Sequence, residues 1–278
     1  MSQTSLETWL AAHPFLRPLA QLTAGVDRAA GEIEIPRIRI PSWEEYAADY
    51  SDGVPLLVSS AAAVDLTPAG RVVLALVERL GSADSSIPGL ARLAAGLRQD
   101  PQAHGRLAAF LLGEESIDVP SPGLLRYLGW AAAARYLAPA VGAFASWRDE
   151  DRWQRRYCPA CGALPAMAQL VGEETGRVRW LSCGLCRTRW RYARTHCPFC
   201  EVDAHRAATV TIEGEGGLRL DYCESCKGYL KTYDGRGNEA VLLADWTSLH
   251  LDVAAHDRGL QRKAVSLYEL GALVPARS

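Results

Sequence analysis

The first 150 residues contain no cysteine, although the chain of 278 residues has eight. Disulfide chemistry and sulfur-based metal binding are thereby excluded from more than half of the chain. An excess of either charge is also missing. Thirty basic residues face 32 acidic ones, giving a net charge of −2 and no global attraction to nucleic acid or an anionic membrane. The N-terminal stretch MSQTSLETWLAAHPFLRPLA lacks a basic segment followed by an apolar run and a cleavage site, so no secretory signal is expected. The most apolar stretch, 127–147, is interrupted by Arg135 and Pro139, and a membrane span needs about 20 apolar residues without such breaks. Nucleotide-binding glycine loops, the H-E-x-x-H zinc motif and the G-x-S-x-G nucleophile elbow are all absent. No paired carboxylates or nucleophile–base signature emerges, so no catalytic residue is assigned. The expectation is a cytoplasmic protein without stable membrane insertion, in a compartment that keeps thiols reduced.

All eight cysteines fall between 158 and 226, in four C-x-x-C pairs: Cys158/Cys161, Cys183/Cys186, Cys197/Cys200 and Cys223/Cys226. They form an internal repeat whose equivalent positions are offset by 39 or 40 residues, with gaps of 21 and 22 residues inside each module. Two thiolates separated by two residues converge on one ion when the chain turns tightly. Pro159 and Pro198 pre-set φ for such a turn, and Gly162 and Gly228 are placed to supply its left-handed residue. Two knuckles give a four-sulfur tetrahedron, which zinc adopts and iron accepts, so two ions are expected. Sequential pairing of knuckles follows from the repeat, interleaved pairing being the alternative. Structural disulfides and thioredoxin-like dithiol exchange are the competing uses. The first conflicts with a reducing compartment, and the second lacks a strand followed by a helix start at the cysteines. Four thiolates leave no open coordination position, so a structural role for both ions stands beside a redox or sensing one.

Around this repeat the texture of the chain changes. Residues 1–150 read as helices, including TPAGRVVLALVERLG (67–81) and one or two apolar helices broken at Pro139, with an extended piece at 32–43. From 155 onward short strands and turns dominate, with a hairpin at EGEGG (213–217). The predicted fold is α+β: an α-helical domain over 1–150, four-cysteine rubredoxin-like or zinc-ribbon modules over 151–194 and 195–235, and a helical segment over 236–278. The six histidines form no i, i+4 pair, and His196 beside Cys197 reads as a surface or supporting residue rather than a ligand. Residues 151–200 carry nine arginines against three acidic residues, which would suit a nucleic-acid surface but more often marks a solvated or protein-docking face.

The stretches C-x-x-C-x-T-x-W-x-Y-x-R-x-x-C-P-x-C (Cys183–Cys200) and C-x-x-C-x-x-Y-L-K-T (Cys223–Thr232) are specific. With the Ala/Leu-rich first half, and more weakly GVPLL at 53–57, they resemble the bacterial formate dehydrogenase accessory (formation) protein family. The resemblance implies a cytoplasmic, non-catalytic maturation factor that binds the catalytic subunit of formate dehydrogenase before export. It also implies rubredoxin-like iron binding by Cys158, Cys161, Cys183, Cys186, Cys197, Cys200, Cys223 and Cys226, with zinc as the alternative ion. Glu201 departs from the pattern, standing where a C-P-x-C-G knuckle has glycine. A zinc-ribbon nucleic-acid binder and a thiol redox protein are the competing functions. Nucleic acid is not an expected partner, and self-association is left open.

Overall fold

The computed structural model describes residues 5–82, 87–100, 102–173, 176–203, 206–215, 217–235 and 240–269. The chain divides into two compact units. One comprises Met1–Arg17, Tyr46–Val58 and Arg148–Val265, and the other Pro18–Glu45, Ser59–Trp147 and Ser266–Ser278. Residues 1–150 therefore contribute to both.

The second unit is helical. It holds most of α2 (Arg17–Gly31), then α4 (Thr67–Ser82), α5 (Leu90–Gln99), α6 (Ala103–Leu112) and α7 (Pro122–Trp147), with residues 34–42 in neither helix nor strand. α4 buries Val72, Val73, Leu76, Val77 and Leu80, a helical stripe that packs on α5, α6 and α7. The expected break at Pro139 does not occur, and α7 runs for 26 residues with the proline inside it. Arg135 and Pro139 both lie on the exposed side of the helix, where a carbonyl left without its helical partner costs least. Gly129 allows close approach of α7 to α6, since a Cβ there would lie 2.5 Å from Leu111 Cδ2. No described helix is long and apolar enough to cross a membrane.

The first unit is built on a six-stranded sheet: β1 (Pro165–Val171), β2 (Val178–Cys183), β3 (Arg189–Arg191), β4 (Ala207–Thr211), β5 (Leu218–Cys223) and β6 (Tyr229–Asp234). The order β3-β2-β1-β6-β5-β4 shows two three-stranded antiparallel ribbons joined at one seam. There β1 and β6 run parallel, with Met167 opposite Lys231 and Leu170 opposite Asp234. The seam strands are the most buried of the six, as parallel pairs require. The expected hairpin is present, with EGEGG between β4 and β5. α1 (Leu6–Ala12) is capped by Ser5, whose hydroxyl accepts from Thr8 N at 3.1 Å. α3 (Trp43–Asp52) enters this unit with the buried Tyr46 and Tyr50.

The C-terminal helix α8 (Leu249–His256) is short. Gly259 takes φ +70°, and the chain then turns back so that Gln261 pairs with the fourth knuckle, donating to Lys227 O at 2.8 Å. Residues 236–239 and 270–278 of the expected helical segment lie outside the described residues.

Candidate metal centres

Each cysteine knuckle repeats one local design. In the first and third, the cysteine N–H is taken up by a carbonyl five residues on, Cys158 by Ala163 and Cys197 by Val202, both at 2.8 Å. The residue after each second cysteine is left-handed: Gly162 (φ 79°), Arg187 (φ 63°), Glu201 (φ 61°) and Lys227 (φ 57°). At 162, 201 and 227 its N–H closes the turn on the carbonyl of the first cysteine. Glu201 thus adopts the glycine-like conformation despite its side chain. The left-handed residue of the fourth knuckle is Lys227, not Gly228 as the sequence suggested. Gly228 serves space instead: a Cβ there would lie 2.7 Å from Phe199 and 3.2 Å from Cys226 Sγ.

The turns bring the sulfurs into two groups of four, Cys158/Cys161/Cys183/Cys186 and Cys197/Cys200/Cys223/Cys226. Pairing is sequential, each module closing on itself. The Sγ atoms of Cys158 and Cys186 are 3.5 Å apart, and those of Cys161 and Cys183 are 3.4 Å apart. In the second group, Cys197–Cys226 is 3.9 Å and Cys200–Cys223 is 3.8 Å. A tetrahedron with metal–sulfur bonds of about 2.3 Å has sulfur–sulfur edges of about 3.8 Å, so both groups fit one ion each. Backbone N–H groups of Ala160, Leu185, Phe199 and Gly228 point at sulfurs from 3.4 Å, supporting thiolate charge.

The charge is uneven within each group. Hydrogen bonds from the Cys158, Cys161 and Cys183 thiols hold Cys186 well below the ordinary thiol value. Hydrogen bonding to its neighbours raises Cys161, and burial raises Cys183. In the second group burial pushes Cys197 up to about 12. Burial also opposes ionisation of Cys223, but backbone N–H groups of Cys226 and Ser225 outweigh it and lower that thiol. Four thiolates together therefore call for a cation among them. The groups differ in access: Cys158, Cys183 and Cys186 are buried, whereas Cys200 is exposed and Cys226 half-buried.

Two supports were not legible as such in the sequence. GVPLL docks on the first knuckle, with Leu56 N and Leu57 N donating to Pro159 O and Ala160 O at 2.9 Å and Tyr157 donating to Gly53 O at 2.7 Å. Lys231, fully buried on β6, reaches Asp245 Oδ1 at 2.6 Å and Asp252 Oδ2 at 2.8 Å, and Arg262 spans the same two carboxylates. This network pins the segment after β6 to the seam. His196 is exposed, bonded to Thr195 at 3.0 Å and near Asp203, and belongs to neither sulfur group. The arginines of 151–200 are largely engaged within the unit. Arg179 lies over Tyr192 and donates to Ala193 O and His196 O, Arg189 bonds Gln169, Arg177 pairs with Asp234 and Arg191 with Asp151.

Fold and site together define a class: an α+β protein with a helical N-terminal region and two tandem zinc-ribbon modules fused into one sheet, each with a four-cysteine group. Comparison with known proteins specifies it further. Residues 157–194 match the family model "FdhE, central domain". The FdhE homolog of Pseudomonas aeruginosa is 32% identical over 182 residues, covering 62% of this chain and 58% of that protein. FdhE of Escherichia coli K12 is 29% identical over 140 residues, covering 49% of this chain and 45% of that one. The chain thus spans about half the length of the curated relatives it matches. A crystal structure of the FdhE protein from Pseudomonas aeruginosa superposes with a TM-score of 0.63 at 25% identity, covering 96% of both chains. The resemblance to FdhE-type proteins drawn from the cysteine motifs is borne out.

Proposed function

We propose that this chain is a cytoplasmic, non-catalytic accessory protein for formate dehydrogenase, binding the catalytic subunit during assembly. In this reading each four-cysteine group holds one ion, iron in rubredoxin-like coordination, with zinc as the alternative. The observation that carries it is the pair of tetrahedral sulfur groups set in an FdhE-like fold. Four thiolates occupy every position of such an ion, so the ion braces a surface rather than binding a substrate. The second group, with Cys200 exposed, offers the face a client can reach. Against the nucleic-acid reading stands the engagement of the basic residues in internal bonds. Thiol exchange is disfavoured because the close sulfur contacts run between knuckles, from Cys158 to Cys186 and from Cys200 to Cys223.

The test is an anaerobic pull-down with tagged protein from cells expressing formate dehydrogenase, read by mass spectrometry. Recovery of the catalytic subunit, lost when the second cysteine group is replaced, is the expected result. Absence of that subunit under expression of its gene would end this reading. An absorbance spectrum of the oxidised protein separates the ions, since iron gives a coloured thiolate charge-transfer band and zinc none.

A further inference from the structure

Apart from the sulfur groups, three side chains distant in sequence converge within the sheet-bearing unit. His13 follows α1, Glu215 lies in the β4–β5 hairpin turn, and His250 is the second residue of α8. His13 and Glu215 are buried, and the His250 side chain is 19% exposed. His13 Nε2 is 3.2 Å from Glu215 Oε1, and His250 Nε2 is 2.8 Å from Glu215 Oε2. One ligand atom from each residue lies within 4.8 Å of the other two. Trp9 stacks on His13 at 4.0 Å, the two imidazoles stack at 4.9 Å, and Phe15 meets both edge-on.

Hydrogen-bond accounting shows what this arrangement lacks. His13 Nδ1 lies 3.0 Å from Trp9 O. A carbonyl only accepts, so Nδ1 carries the proton; Nε2, in hydrogen-bond geometry with Glu215 Oε1, donates to that carboxylate when the ring is doubly protonated and presents a lone pair to it when the ring is neutral. A second ring proton or a metal ion can fill that contact. A ring N–H donated to a backbone carbonyl is also how proteins orient a metal-binding histidine. Further, Glu215 Oε2 and the His250 ring nitrogens are buried without a hydrogen-bond partner. Their 2.8 Å approach is not aligned for a hydrogen bond. A proton can bridge His13 and Glu215, but no hydrogen bond joins Glu215 Oε2 to His250.

We propose that His13, Glu215 and His250 form a third cation site, distinct from the sulfur groups, that takes a divalent first-row ion such as Zn²⁺. Two imidazole nitrogens and one carboxylate suit borderline ions and leave a coordination position open. Ligand atoms around an ion at about 2.1 Å stand about 3.4 Å apart, so small side-chain rotations close the set. The ion would clip α1 to the second module's hairpin and to α8. The proposal does not depend on the identity of any client.

The test uses full-length protein prepared anaerobically and titrated with Zn²⁺, with stoichiometry read by elemental analysis. Three equivalents are expected in the wild type, and two in both Glu215→Gln and His250→Gln. Co²⁺ added to protein already holding two Zn²⁺ should bind with weak visible bands and without the intense near-ultraviolet thiolate band. Saturation of the wild type at two equivalents or fewer would overturn the proposal. So would a third equivalent that persists in both variants or carries the thiolate band. Should a variant fail to fold, the wild-type stoichiometry and band pattern decide.

Discussion

At the residue scale, Gly228 separates two reasons a turn needs glycine. Its neighbour Lys227 takes the left-handed conformation, and Gly228 leaves room for Phe199 and the Cys226 sulfur. Gly228→Ala should therefore weaken ion retention in the second group by about 10-fold, the lower end of outer-shell effects, and leave the first group unchanged. Competition with a chromophoric chelator measures this, and equal affinities in variant and wild type would contradict it. Asp245 is the second residue with a specific consequence. Burial alone would raise its carboxyl, but Lys231 and Arg262 beside it outweigh that and hold it below the ordinary carboxylate value. A carboxylate depressed in the folded state stabilises above its unfolded value, about 3.9, and that contribution is lost as pH falls through the folded value. Asp245→Asn should cost about 3–5 kcal/mol at neutral pH, because it leaves Lys231 and Arg262 undercompensated. The gap to wild type should begin to narrow below about pH 4 and close only as the pH falls through the lower folded value. Denaturation at a series of pH values checks this, and a gap that widens on acidification would refute it.

At the element scale, GVPLL is a prop rather than a connector. Its backbone hydrogen-bonds the two residues lying between Cys158 and Cys161, and Leu56 is fully buried beneath them. Leu56→Ala should cost about 2–5 kcal/mol. It should also speed loss of the ion from the first group while sparing the second. Loss at equal rates from both groups would show that the segment does not support the knuckle. The seam obeys the same logic. β1 and β6 bury both faces, and Asp234 at the end of β6 collects Arg177 from before β2 and Arg219 from β5 at 2.6 Å, tying the ribbons together.

At the scale of the whole molecule, the duplicated modules have diverged in exposure while keeping their turns. The first group is closed, with three buried cysteines and a chain segment docked on its knuckle, whereas the second has Cys200 at the surface. Chelation should therefore be biphasic, with the second ion leaving first, since opening it requires less unfolding. Cys200→Ser should remove the fast phase, and a surviving fast phase would reverse the assignment.

Much of this was legible in the residues. The four C-x-x-C pairs and their 39–40 residue offset named the eight sulfurs and favoured sequential grouping, with interleaved pairing left open until the folded chain brought each module's own four together. Helical periodicity likewise placed α4, and the glycine-rich turn placed the hairpin. Pro139 misled, because a local helix breaker is tolerated when its face is solvated and the rest of α7 is held by packing. Only the tertiary structure decided that GVPLL supports a knuckle, that Lys231 finds its carboxylates, and that His13 and His250 meet at Glu215. Those partners lie far apart along the chain. Spacing encodes what a turn of a few residues can close, while long-range convergence comes from sheet pairing and core packing, which leave no periodic trace in the sequence.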